Sequence, residues 1–308
     1  MVRNKKNQLL SDYFEEWIEL YKVGAVRPIT LNKYYISQQY LEELVPDVKV
    51  KDVTRQIYQK LLNDYALTHE KQTTMDFHHQ IKSALLDAVD DGLIANNPTR
   101  KVVIKGKEPR EKRPKFLNQF ESQMLIKQMN LPNELNWDWF ILLILKTGLR
   151  FSEALALTPA DFDFSSQKLT VEKTWDYKST KGSFQPTKNV SSKRKVQLDW
   201  QIAMQLSQLI KDYPKDQPIF VKGRVFNSTV NNRLQVLCQN ANIPNISIHG
   251  LRHTHASLLL FAGVSIASVA KRLGHSSMST TQETYLHIIQ ELENQDNEKI
   301  MRHLAMLM

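Results

Sequence analysis

The chain carries I-H-G-L-R-H-T-H from Ile248 to His255 and L-G-H-S-S-M-S-T-T-Q-E-T-Y from Leu273 to Tyr285, and these two stretches decide its fold. The segment between them, residues 256–273, is mostly apolar and small and is broken by Gly263. This composition predicts one buried helix, a turn and a second short helix. Polar side chains of the two stretches are therefore presented at the ends of packed helices.

Four of these side chains form a chemically useful set: two imidazoles (His249 and His275), one guanidinium (Arg252) and one phenol (Tyr285). Arginine binds two phosphate oxygens as a fork, histidine holds or moves a proton, and tyrosine can attack phosphorus. Taken singly, each has an ordinary structural interpretation, as a helix-start histidine, a surface arginine or a core tyrosine with a wet hydroxyl. The ordered pattern H-x-x-R, L-G-H-S-S, T-Y-x-H is long enough to favour phosphate chemistry for the set.

The pattern resembles the C-terminal signature of the tyrosine recombinases, the phage integrase family. Upstream, L-K-T-G-L-R-F-S-E-A-L-A-L from Leu145 to Leu157 resembles the first motif of that family, with Arg150 as its first arginine. The resemblance runs from about Phe116 to about His287. The residues alone favour an ion pair between Arg150 and Glu153. We expect both roles, with Glu153 orienting the guanidinium while its other edge faces phosphate.

The fold class that follows is mainly α with a small antiparallel β-sheet (α+β). Residues 1–99 show helical periodicity without strand alternation, and the resemblance implies that they form the core-binding domain, which grips DNA. Residues 116–308 form the mixed catalytic domain, and residues 100–115 form a basic linker. The periodic segments of the first domain lie at about 9–20, 31–44, 53–62 and 73–89.

The catalytic domain begins with helices predicted at about 119–129 and 137–146, the second of them apolar on nearly all sides. Alternation predicts strands at 169–175, 184–188 and 195–198 in one antiparallel sheet, followed by helices at about 200–213 and 227–240. In the resembled family a hairpin lysine protonates the leaving 5′ oxygen, and P-T-K-N-V-S-S-K-R-K-V-Q-L places it at Lys188. Lys181, Lys193 and Lys195 are expected to face phosphate or solvent.

The remaining roles also follow from the resemblance. Tyr285 attacks the scissile phosphate and forms a 3′-phosphotyrosine intermediate, and strand exchange proceeds through a Holliday junction. Arg150 and Arg252 neutralise the non-bridging oxygens. His249 manages the tyrosine proton as general base, and His275 donates to a non-bridging oxygen. No cofactor and no metal ion are expected.

The charge balance favours a polyanionic partner. Lys and Arg total 41 against 32 acidic residues, giving +9, although a solvated basic surface has the same signature. The linker is rich in proline and charge, so we expect it to lie along phosphates rather than to be merely solvated. The residues expected to contact DNA outside the catalytic set are Lys105, Lys107, Arg110, Lys112, Arg113, Lys115, Lys181, Lys193 and Arg194.

The expected partners are double-stranded DNA with specific recombination sites and three further copies of the chain, giving a homotetramer on DNA. Residues 288–307 have helical character, and the resemblance implies a C-terminal helix that docks on a neighbouring protomer, with docking in cis as the alternative. An accessory DNA-bending or excision factor is a further expected partner. Cys238 is the single cysteine of the chain, and no secretory signal or membrane span is visible. These features predict a cytoplasmic, nucleoid-associated protein.

Two other functions remain open at this stage. A relaxing enzyme resembling type IB topoisomerases uses the same nucleophile without strand exchange. A DNA-binding protein on an inactive recombinase scaffold would lack catalytic residues, yet every expected position is filled. The first helix begins by about Leu9 and leaves no room for the arm-binding module of many integrases. This predicts a Xer-type or short integrase, or a piece of a longer protein.

Overall fold

The computed structural model divides the chain into two compact units, Met1–Glu111 and Lys112–Met308. It describes residues 5–108, 116–187 and 189–285. The first unit is helical, as predicted, and the four α-helices among its described residues bury an aromatic and aliphatic core that includes Phe14, Tyr58 and Ile81. The helices are α1 (Leu10–Tyr21), α2 (Pro28–Leu44), α3 (Arg55–Ala66) and α4 (Lys71–Asp90).

Part of the predicted linker is packed on the first unit. Val102 and Ile104 rest against its core, and the side chain of Gln59 both donates to and accepts from the backbone of Val103, each at 2.8 Å. The backbone N–H of Lys107 donates to the carbonyl of His69 at 2.8 Å. The contacts of the first unit therefore continue past the predicted boundary at residue 99, because apolar residues alternate with the basic ones. The side chains of Lys105 and Lys107 are exposed.

The second unit surrounds α6, a helix whose residues are almost all buried, as predicted. Asn118 and Glu121 form a reciprocal capping box at the start of α5, which also agrees with the expected helix start. Helix α8 ends at Leu209, four residues before the predicted end. The helices are α5 (Gln119–Lys127), α6 (Trp137–Thr147), α7 (Phe151–Leu155), α8 (Trp200–Leu209), α9 (Asn227–Asn240), α10 (Ile248–Phe261), α11 (Ile266–Leu273) and α12 (Met278–Thr284).

The strands form two antiparallel sheets, and the prediction of a single sheet was wrong. One sheet has the order β1-β2-β5, and the other pairs β3 with β4. The predicted strand at 169–175 is divided at Glu172, because its two halves take different hydrogen-bond partners. The strands are β1 (Phe162–Asp163), β2 (Lys168–Val171), β3 (Lys173–Trp175), β4 (Phe184–Pro186) and β5 (Arg194–Gln197).

Three glycine turns lie close to the polar side chains of the two signature stretches and the first motif. Gly148 (φ 69°) follows α6, Gly263 (φ 80°) separates α10 from α11, and Gly274 (φ 71°) follows α11. All three lie in the left-handed region that favours glycine. The predicted C-terminal helix at 288–307 lies outside the described residues. Among the described helices, none combines the length and the apolar character needed to cross a membrane.

Candidate active site

Arg150 lies between the end of α6 and the start of α7. Its guanidinium donates from Nη1 to Glu153 Oε1 at 2.6 Å and from Nη2 to the carbonyl oxygen of Gly274 at 3.2 Å. Nη1 also approaches Ser192 Oγ at 3.4 Å. The side chain keeps 28 % of its surface exposed, so one edge is anchored while the other faces solvent. The contact with Glu153 is the one predicted for this pair, and the role of the exposed edge toward phosphate stays a prediction.

Glu153 is 1 % exposed and is shared by two arginines. Arg194 donates to both of its carboxylate oxygens, at 3.2 Å and 2.9 Å, and donates from Nε to the carbonyl of Arg272. Burial by itself raises the pKa of Glu153, but the hydrogen bonds and charges of Arg194 and Arg150 outweigh it and lower the pKa. Arg194 is 5 % exposed, so the expectation that it contacts DNA was wrong, because its guanidinium is occupied inside the protein.

Arg252 projects from α10 and is 3 % exposed. Its Nη1 donates to the carbonyl of Gly148 at 2.7 Å, and its Nη2 donates to the carbonyl of Leu273 at 2.8 Å. These carbonyls belong to the turn before Arg150 and to the end of α11. Burial, followed by the charge of Arg150, lowers the pKa of Arg252 to about 9, which leaves it charged at neutral pH. Two of its five N–H donors are used in these bonds.

Arg150, Arg194, Arg252 and Glu153 form a unit that we call the arginine cluster. Three guanidiniums face one carboxylate, which leaves a net charge of +2 on largely buried groups. Within the described part of the chain, Arg252 has no carboxylate at ion-pair distance. Because a buried charge without a counter-ion is unfavourable, the cluster is suited to an anion supplied from outside.

Two histidines near the cluster are held in the neutral form. Burial, with the charge of Arg252 next, lowers the pKa of His275 to about 4, and its Nδ1 lies 2.7 Å from Thr281 Oγ1. Burial, with the charge of Arg272 next, lowers the pKa of His255 to about 3. The Nε2 of His255 accepts from Arg272 at 2.8 Å, so its Nδ1 donates to the carbonyl of Leu145. His255 therefore has a structural role, whereas His275 lies close to the cluster.

Tyr285 follows α12 and is 2 % exposed. Its hydroxyl lies 3.0 Å from Nδ1 of His253. His249 is one turn earlier on α10, and its ring meets that of His253 edge-on at 4.9 Å. His249 keeps an exposed face, and desolvation followed by the charges of Arg252 and Arg150 lowers its pKa.

The structure thus brings five of the six predicted catalytic residues to one place. The sixth, Lys188, lies outside the described residues, as do Arg110, Lys112, Arg113 and Lys115. Asn189, the residue after Lys188, accepts a hydrogen bond from Ser192, whose hydroxyl also approaches Arg150. Lys181 and Lys193 are exposed. Over the described ranges no cluster of histidine, cysteine or carboxylate side chains is arranged to hold a metal ion.

The contacts that support this site were not predicted from the sequence. His253 had no predicted role, although it follows Arg252 directly and lies four positions after His249 on the same helical face. Thr281, which contacts His275 from within L-G-H-S-S-M-S-T-T, had none either. The helical spacing was a usable signal for His253, whereas no sequence signal pointed to the backbone carbonyls of Gly148 and Gly274.

The chain belongs to the phage integrase family, whose sequence pattern matches residues 115–291. It is therefore a tyrosine recombinase, an enzyme of the class that cleaves and transfers DNA strands.

Named relatives extend the similarity beyond the matched domain. The chain is 29 % identical over 303 residues to a tyrosine recombinase of Thermosipho africanus, covering 92 % of this chain and 95 % of the relative. It is 30 % identical over 171 residues to the integrase of Staphylococcus phage L54a, covering 50 % of this chain and 48 % of that integrase. The aligned part is thus about half the length of the phage protein.

Solved structures share the fold. The Tn1549 transposon integrase in complex with transposon right end DNA matches with a TM-score of 0.75 at 18 % identity, covering 90 % of this chain and 94 % of the other. A lambda integrase dimer bound to a COC′ core site matches with a TM-score of 0.64 at 16 % identity, covering 88 % and 93 %. At these identities the likeness concerns the fold.

Proposed function

We propose that this chain is a site-specific DNA recombinase that cleaves one strand at a time with Tyr285 and holds the 3′ phosphate as a phosphotyrosine. The observation that carries the proposal is the net charge of +2 in the arginine cluster, close to a buried tyrosine hydroxyl. A phosphodiester bears one negative charge and gains a second as the pentacovalent transition state forms. The cluster matches that transition state better than the starting phosphate, which is the condition for catalysis.

The two arginines have different tasks in this proposal. Arg150 is anchored by Glu153 and partly exposed, so its outward edge grips a non-bridging oxygen of the incoming phosphate. Arg252 joins the turn before Arg150 to the end of α11, so it fixes the geometry of the site and contributes positive charge from its buried side. His275, neutral and fixed by Thr281, donates a hydrogen bond to a non-bridging oxygen. His249 lies at the exposed rim, where it also reaches the phosphate.

The same proposal includes the partners. The helical unit and the catalytic unit both bind the specific duplex DNA sites, and four copies of the chain assemble on two duplexes and resolve a Holliday junction. Residues 286–308 supply the contact between neighbouring copies. Exposed Lys105, Lys107, Lys181 and Lys193 contact the phosphate backbone, with Arg110, Lys112, Arg113 and Lys115. An accessory DNA-bending or excision factor and location on the nucleoid belong to this proposal.

The test is covalent capture of DNA by the full chain. Fragmented genomic DNA from the source organism is incubated with the protein, denatured and digested with protease, and the strands that retain a phosphotyrosyl remnant are sequenced. We expect a small set of sites from the native chain and none from Tyr285→Phe, which keeps the ring and loses only the hydroxyl. Adducts from the phenylalanine variant would show that another residue is the nucleophile.

A second measurement separates recombination from simple relaxation. Two plasmids, each carrying one recovered site, are incubated with the chain, and joint molecules are scored by sequencing across the junction. Recombinant junctions are expected. Relaxed plasmids without junctions would instead assign the chain a topoisomerase activity.

Lys188 has its own test in this proposal, because it is assigned the proton that the leaving 5′ oxygen needs. A thiolate leaves without that proton, since the pKa of a thiol is about 8.5. Lys188→Ala should therefore cleave ordinary DNA roughly 10²–10⁴-fold more slowly and recover on DNA with a bridging 5′ sulfur. Lys181→Ala and Lys193→Ala are the matched controls. Recovery by either of them, with Lys188→Ala still slow, would move the assignment to that lysine.

A further inference from the structure

The hydrogen bond of Tyr285 identifies a neighbour to which no role has yet been assigned. The phenol oxygen lies 3.0 Å from Nδ1 of His253, and the two ring centroids are 5.8 Å apart. Burial raises the pKa of Tyr285 to about 12, although the charge of Arg252 acts in the opposite direction. The phenol is therefore protonated at neutral pH, so it donates and Nδ1 accepts. An accepting Nδ1 means that the neutral ring carries its proton on Nε2.

We propose that His253 is the catalytic base of this enzyme and that its Nδ1 takes the proton of the Tyr285 hydroxyl as the phenol oxygen attacks phosphorus. The inference rests on the proposed function, in which Tyr285 is the nucleophile. In the cleavage step the O–H bond of Tyr285 breaks and the bond from its oxygen to phosphorus forms. The bond from phosphorus to the 5′ oxygen breaks, and that oxygen leaves with the electron pair and takes a proton from Lys188. In rejoining, His253 returns its proton to the tyrosine oxygen.

Geometry favours His253 over His249, to which the family resemblance assigned the proton. A base must reach the proton that it removes, and the hydroxyl of Tyr285 lies within hydrogen-bond distance of His253. His249 touches the ring of His253 edge-on and lies at the exposed side of the site. We therefore assign His249 to the phosphate and His253 to the nucleophile.

The groups that face His253 define the electrostatics of the transfer. His249 faces it on its own helix, and His275 and Tyr285 face it from the segment after α11. The charge of Arg252, the preceding residue, acts on all three of these neighbours. Burial lowers the pKa of His275 to about 4, so that ring stays neutral while His253 accepts a proton. When His253 becomes an imidazolium, the phosphate has gained the negative charge that the phenol brought. The imidazolium of His253 and the negatively charged phosphate then form an ion pair inside a site shielded from water.

Asparagine and glutamine make a matched pair of variants at this position. The amide of asparagine lies where Nδ1 of histidine lies, and the amide of glutamine lies where Nε2 lies. His253→Asn therefore retains a hydrogen-bond partner for Tyr285 but cannot take its proton, whereas His253→Gln loses both functions. His249→Asn is compared alongside them. The substrate is a nicked duplex of a recovered cleavage site, and single-turnover formation of the covalent adduct is followed from pH 6 to pH 10.

We expect His253→Asn to cleave roughly 10²–10⁴-fold more slowly than the native chain at pH 7, as for loss of a general base. Its rate should rise about tenfold per pH unit up to pH 10, because attack then requires the phenolate of a tyrosine whose pKa is about 12. Rejoining of a 5′-hydroxyl strand should slow by the same factor, since one group serves both directions. Thermal unfolding of each variant confirms that the fold is retained.

Three results would overturn the assignment. A native rate and pH profile for His253→Asn would exclude proton transfer to this residue. If His253→Asn cleaves fast and His253→Gln cleaves slowly, His253 only positions the hydroxyl of Tyr285 through a hydrogen bond and does not take its proton. A pH-dependent defect in His249→Asn with none in His253→Asn would return the base to His249. Failure of the proposed function looks different, because the native chain itself would then form no adduct.

Discussion

Neutralising Glu153 is the perturbation that tests the arginine cluster most directly. Glu153→Gln keeps the shape of the side chain and removes its charge. Arg194 then remains 5 % exposed without its carboxylate, and Arg150 loses its 2.6 Å anchor. Breaking a buried ion pair by removing one partner costs about 3–5 kcal/mol, because the remaining charge is uncompensated. For a domain of this size that corresponds to a decrease in Tm of roughly 6–20 °C.

The same substitution should affect catalysis separately from stability. Arg150 keeps its hydrogen bonds with Ser192 and the carbonyl of Gly274, but it loses the ion pair with Glu153 that fixes the orientation of its guanidinium. Misplacement of a catalytic group by about 1 Å can reduce a rate about 10²-fold. We therefore expect single-turnover cleavage per folded molecule to fall by roughly one to two orders of magnitude.

The assay combines urea unfolding followed by circular dichroism with adduct formation on a nicked duplex at a temperature where all variants are folded. Asp138→Asn is the matched control. Asp138 is 2 % exposed and receives two 2.6 Å hydrogen bonds from Arg233, a residue outside the arginine cluster. Because Arg233 is 36 % exposed, the stability loss of this variant should be smaller, and cleavage per folded molecule should stay unchanged.

Two results would refute this reasoning. If the free energy of unfolding of Glu153→Gln lies within about 0.5 kcal/mol of that of the native chain, the ion pair contributes no more to stability than an ordinary surface position. If Asp138→Asn slows cleavage as much as Glu153→Gln, the effect on catalysis is a general consequence of a weakened fold. Adding Arg194→Met to Glu153→Gln should recover part of the stability, because the unpaired buried charge is then gone.

Three further outcomes follow from the geometry. Gly148→Ala should destabilise the fold by about 2–4 kcal/mol, since the backbone there is left-handed and a Cβ would lie 2.7 Å from the ring of His255. Gly263→Ala has open space around it and should lose only about 1–2 kcal/mol. The midpoints of urea unfolding compare the two variants. The free energy of unfolding should decrease as pH falls from about 6.5 toward 3, by up to about 1.4 kcal/mol per pH unit for His255. In this range the unfolded chain binds a proton at His255, whereas the folded chain, in which the pKa of His255 is about 3, does not. Urea titrations across this range measure the slope. Replacing exposed Lys105 and Lys107 with alanine should weaken binding to all duplexes alike and flatten the plot of log K against log salt by about 0.9 for each phosphate that the variant no longer neutralises; weaker binding to one sequence alone would show base readout instead.

Helix positions were the part of the fold most accessible from sequence. The four helices of the first unit and the buried helix α6 follow from apolar periodicity. The division of the strand at Glu172 was not accessible. Alternation along 169–175 continues through it, and only the choice of hydrogen-bond partners, which is set by distant segments, separates the two halves.

In the candidate site, the identity of the catalytic side chains could be predicted from sequence, but the contacts around them could not. Arg150, Arg252 and Tyr285 were predicted from the resemblance of their motifs to the signatures of the tyrosine recombinases. Arg194 was assigned to DNA because it lies in a basic run, yet it is buried against Glu153, forty-one residues earlier in the chain. A composition cannot show which of several neighbouring basic residues turns inward, since that depends on where a buried carboxylate lies. That dependence on tertiary structure also hid the hydrogen bond between His253 and Tyr285.

The bonds of Arg252 to the carbonyls of Gly148 and Leu273 have a consequence for protein synthesis. Arg150 precedes Arg252 by about a hundred residues, and Arg252, whose bonds join the turn before Arg150 to the end of α11, is synthesised late. A ribosome that stalls before residue 252 releases a product in which the first motif has nothing to close against. The last of these groups to emerge is Tyr285, the proposed nucleophile. A translation product that ends before residue 285 therefore lacks the proposed nucleophile.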